Sequence, residues 1–72
     1  MISKNLLKSY GLFHVEDYFQ MCIESKINGN YTQCKEQLKK ANKEQLKQFI
    51  NSEIYGNDEH VQYCKNIALQ LI

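Results

Sequence analysis

Apolar side chains recur three and four residues apart along most of this 72-residue chain, and no stretch alternates apolar with polar. The first period is that of an α-helix, and the alternation that would mark a half-buried strand is missing. The expectation is an all-α fold: a small bundle of four to five short helices near 4–10, 14–28, 31–41, 43–55 and 58–72. Residues 1–72 are read as one domain. At this size, burial at roughly 25 cal/mol per Å² does little more than offset the ~1.5 kcal/mol lost on ordering each residue. The chain must pack economically or gain stability from a partner.

Local punctuation places the helix ends. Ser3 is an N-cap, with Ile2 and Leu7 at the spacing of a hydrophobic staple. Gly11 suits the left-handed position after the first helix, with Leu12 folding back on Leu7 in a Schellman ending. Gly29 should end the second helix, and Asn30 with Gln33 forms a capping pair for the third. Asn42 with Gln45 offers a further cap where the apolar face loses phase, so a kink or a new helix is expected there. Tyr55–Asp58 should close the fourth helix, and Asp58 with Glu59 suits the start of the fifth. The last apolar pattern runs to Ile72, so that end is expected to be docked.

Composition narrows the function classes. All nine basic residues are Lys, with no Arg, Trp or Pro. Lys, Asn, Ile and Tyr have A/T-rich codons, which points to an AT-rich genome such as that of a low-GC bacterium, its phages or its plasmids. The lack of Arg argues against sequence-specific nucleic-acid reading, because Arg supplies the bidentate fork for guanine. No apolar run approaches the ~18 residues of a membrane span. An odd number of cysteines and no leader pattern suggest reduced thiols and a cytoplasmic location.

Residues 18–41 carry Tyr18, Met21 and Cys22, then Gly29 and Tyr31, then Cys34, Leu38 and Ala41. This pattern resembles a single tetratricopeptide-type helical hairpin. It departs from that family at Ser25, where an aromatic is usual, and at Leu46, where proline often stands. No second copy follows, although such repeats usually stack in about threes. The resemblance implies a tight helix pair and the binding of peptides or proteins.

No catalytic, cofactor-binding or metal-ligating set is expected. Cys22, Cys34, Cys64 and His60 or His14 offer four zinc donors, yet C-x-x-C spacing is missing and each Cys falls on an apolar stripe. His60 and Cys64, four apart, suggest a base and a nucleophile, but no orienting third residue accompanies them. Buried thiols are the simpler reading.

Two surface features remain. Lys35, Lys39, Lys40, Lys43 and Lys47 stand against Glu36 and Glu44, a local +3, whereas residues 12–34 sum to −2. The lysines are either a solvated helix side or a basic face for phosphates or an acidic partner. The second feature is apolar width. With Leu12 and Met21 included, the second helix presents an apolar arc of roughly 200° at ~100° per residue, about twice what one neighbour covers. Tyr10, Phe13, Tyr18, Met21, Tyr55 and Tyr63 are the expected contact residues if part of this surface stays open. Either the Ile2–Tyr10 segment closes over an arc, or a second chain does; the two-fold homodimer is the expectation. The function expected is that of a non-enzymatic protein–protein interaction module: an adaptor, inhibitor or regulatory subunit of phage or mobile-element origin. The alternative is a nucleic-acid-associated regulator using the Lys35–Lys47 face.

Overall fold

Local caps divide the chain into five helices. The computed structural model describes residues 1–72 as α1 (Lys4–Ser9), α2 (Val15–Ile27), α3 (Tyr31–Leu38), α4 (Lys43–Asn51) and α5 (Glu59–Leu71), with no strand. Ser3 Oγ accepts from the Leu6 amide at 3.1 Å and starts α1. At its end Leu12 N–H donates to Leu7 O at 2.8 Å and Gly11 N–H to Lys8 O at 3.0 Å, the Schellman pair. Gly11 sits at φ 71°, where a Cβ would be strained. The same pair recurs after α2 around Gly29, φ 81°, with Asn30 N–H on Ser25 O at 2.8 Å.

One expected cap is absent and two helices end early, α3 at Leu38 instead of 41, where the Lys39–Ala41 turn takes over, and α4 before residue 55. Asn30 makes no side-chain cap: its amide already closes α2, and its ψ of 67° is not the extended geometry of an N-cap. The fourth helix stops at Asn51, not near residue 55. Ser52 turns extended at ψ 139°, its Oγ accepts from the Ile54 amide at 3.3 Å, and Lys65 Nζ donates to Ser52 O at 2.6 Å. A cation from α5 thus satisfies the end of α4 in place of another turn. The break at Asn42 separates two helices, with a full capping box: Gln45 N–H donates to Asn42 Oδ1 and Asn42 N–H to Gln45 Oε1.

α2 and α5 form the centre. α2 packs on α3, α5 and α4, and α5 packs on α4, α2 and α3, so three neighbours share each wide apolar arc. One core of 15 buried side chains draws on all five helices and the Ile2 segment. Phe19 and Phe49 stack at 4.5 Å between ring centroids, and Tyr55 meets Phe49 edge-on at 5.1 Å. Ile2 and Leu7 are buried with them, so the N-terminal segment does lie over the bundle. A side chain holds it there. Gln45 Oε1 accepts from Ile2 N–H at 2.9 Å, and Gln45 Nε2 donates to Ile2 O at 2.9 Å.

The polar interior is fully paired. Tyr18 Oη donates to Gln37 O at 2.7 Å, and Ser25 Oγ donates to Gln37 Oε1 at 2.8 Å, tying α2 to α3. Burial pushes the Tyr18 hydroxyl far above its ordinary range, with Cys22 and Tyr10 adding to the shift. No helix is long and apolar enough to cross a membrane.

Candidate functional site

The expected contact residues divide once the helices are packed. Tyr18 is 0% exposed and belongs to the core, which corrects its assignment to a surface patch. Its position on the inner stripe with Cys22 and three helices around α2 explains the difference. Met21 and Tyr55 are half-buried and lean on the core. Burial, with smaller contributions from Glu16, Cys22 and Asp17, raises the Tyr55 hydroxyl well above its usual range. Tyr10, Phe13 and Tyr63 remain exposed.

Tyr10 and Phe13 mark a corner where α1 turns into α2. The Schellman turn at Gly11 reverses the chain, so Leu12 faces inward while Phe13 projects outward, 86% exposed. Tyr10, 43% exposed, is anchored edge-on to Tyr18 at 6.0 Å. Lys4, Leu7, Lys8, Leu12 and Phe13 line a shallow groove of about 250 Å³. Neither lysine has a carboxylate partner, the one lysine–carboxylate pair in the protein being Lys39–Glu36. The corner combines an open aromatic ring, an apolar floor and a cationic rim.

A second cluster lies on the α2–α3–α5 side. Lys26 Nζ sits 5.2 Å from the Tyr31 ring centroid and 5.0 Å from that of Tyr63, and 3.1 Å from His60 Nδ1. Tyr63 is therefore half of a cation–π sandwich instead of a free contact residue. His60 and Cys64 do not form a base–nucleophile pair, because Cys64 Sγ turns inward to Cys34 Sγ at 3.5 Å. No three His, Cys, Asp or Glu side chains gather closely enough to hold a metal ion.

The lysine row is exposed along its length but interrupted. Lys35 lies on α3, Lys39 and Lys40 in the turn after it, and Lys43 and Lys47 on α4. Lys39 is drawn to Glu36 at 3.3 Å. Comparison with family models, with curated proteins and with solved structures finds no match for the chain.

Proposed function

We propose that this chain is a non-enzymatic protein–protein interaction module of a reducing cytoplasm, acting through the α1–α2 corner. The observation that carries the reading is Phe13, a large apolar ring left almost wholly in solvent beside Tyr10 and a groove rimmed by Lys4 and Lys8. Scattered apolar residues on a surface are ordinary; an open aromatic ring over an apolar floor is the composition of an interface centre. The cationic rim favours a partner that brings an apolar side chain flanked by acidic groups. The resemblance of residues 18–41 to a tetratricopeptide hairpin agrees in kind with peptide or protein binding. An adaptor, inhibitor or regulatory subunit from an AT-rich phage or mobile element fits this description.

The homodimer loses its main motive, because the arcs of α2 and α5 are covered within one chain. The nucleic-acid reading keeps one support: Lys35, Lys40, Lys43 and Lys47 have no carboxylate partner. One experiment separates the readings. Affinity enrichment from the native host is run with the wild type, Phe13→Ala and Ile54→Ala, with and without nuclease. Ile54 is 68% exposed and lines a different groove, beside Val15 and Glu16 at the start of α2, so it tests whether the contact is confined to the corner groove. A protein retained by wild type and Ile54→Ala, lost with Phe13→Ala and indifferent to nuclease is the expected result. Retention that nuclease abolishes, unchanged by Phe13→Ala, would transfer the function to the lysine face.

A further inference from the structure

Cys34 on α3 and Cys64 on α5 meet sulfur to sulfur at 3.5 Å, both side chains wholly buried. We propose that this pair is a latent disulfide, an oxidation site at which hydrogen peroxide or an organic hydroperoxide locks α3 to α5. The contact joins positions 30 residues apart on two helices that pack directly against each other. A disulfide is about 2.05 Å long, so bonding asks for roughly 1.5 Å of closure. α3 is the element placed to supply it, having only 8 residues between the Gly29 turn and the Lys39–Ala41 turn. Cys22 is the third buried thiol, but Cys64 Sγ meets only its backbone carbonyl, at 4.0 Å.

The two sulfurs are not equivalent. The hydrogen bond shared with Cys64 holds the Cys34 thiol below its usual range, with burial opposing and Lys26 assisting. Cys64 is pushed up, first by that same hydrogen bond and then by burial. With Cys34 taken as the attacking thiolate and Cys64 as the proton-bearing partner, both steps of the oxidation balance. Cys34 sulfur attacks one peroxide oxygen, the O–O bond breaks, and a sulfenic acid and hydroxide form; the hydroxide takes up the proton Cys34 had shed. Cys64 sulfur then attacks the sulfenic sulfur, the S–O bond breaks, and the departing oxygen leaves as water with the Cys64 proton. Two thiols lose two electrons and two protons, and hydrogen peroxide ends as two waters, an organic hydroperoxide as its alcohol and one water.

Lys26 lies close enough to both sulfurs for its charge to act on them, and it also meets the Tyr31 and Tyr63 rings. Tyr31 precedes Cys34 by one helical turn, Tyr63 adjoins Cys64, and Lys26 bridges their rings. No carboxylate holds Lys26, so this cluster rests on weak contacts and one hydrogen bond to His60. Both sulfurs are wholly buried, so oxidation needs a transient local opening, and a small peroxide needs a smaller one than a bulky alkylating agent.

The test uses the folded wild-type protein. It is treated with hydrogen peroxide, its remaining thiols are alkylated with iodoacetamide under denaturing conditions, and it is digested with trypsin. The expected product links peptide 27–35 to peptide 48–65 within one chain, with Cys22 alkylated in peptide 9–26, and dithiothreitol reverses it. Cys22→Ala should form the same link to the same extent. Three alkylated cysteines, a link through Cys22, a link between chains, or Cys34 over-oxidised without a link would each overturn the proposal.

Discussion

Tyr18 fills the core with its ring and donates its hydroxyl to Gln37 O, an oxygen that also accepts from the Lys40 amide at 3.2 Å. Tyr18→Phe therefore leaves that carbonyl one partner, and the loss should be about 1 kcal/mol at neutral pH. The larger consequence is alkaline. Tyr18 and Tyr55, ordinarily titrating at 10.0, and Cys22, ordinarily at 9.0, are all raised by burial in the folded state. Above those ordinary values the unfolded chain sheds protons that the folded chain keeps. The unfolded state then binds fewer protons, so stability is full below about pH 9 and falls as pH rises beyond it. In Tyr18→Phe the decline should be shallower by up to about 1.4 kcal/mol per pH unit. Urea unfolding from pH 7 to pH 11 measures this, and an identical alkaline slope in the variant would refute it.

Among the elements, α1 is short enough to depend on what ties it down, and Gln45 is that tie. Its side chain completes the α4 capping box and pairs with both backbone groups of Ile2. Gln45→Ala should cost about 1–2 kcal/mol and release α1 selectively. Hydrogen exchange should quicken at Leu6, Leu7 and Leu12 while α5 amides stay protected; equal protection in α1 would contradict the role. The same residue shows where sequence reading stops. Ser3, Gly11, Gly29, Asn42 and Asp58 were legible because a cap acts within a few residues of itself. The Gln45–Ile2 tie spans 43 residues and the Lys65–Ser52 bond spans 13, so neither leaves a local mark. Gln37 had a usable signal, since it shares the inner face of α3 with Cys34 and Leu38 at helical spacing, but its polarity hid it. In the site, Tyr10 and Phe13 were readable as apolar residues beside a turn. Tyr18 was not separable from them, because a wide apolar arc does not say how many neighbours will cover it.

For the whole molecule, the radius of gyration is 11.0 Å, the value of about 11 Å expected when a chain of this length is fully compact. The proposed recognition therefore rests on side chains presented by the folded surface. The central claim is that the α1–α2 corner is that surface. The most direct measurement places a photo-crosslinking amino acid at position 13 or, separately, at position 54 in the native host. A discrete adduct should form from position 13, be absent from position 54, and weaken when Lys4 and Lys8 are changed to Glu. Adducts that are the same from both positions, or none from position 13, would contradict the account.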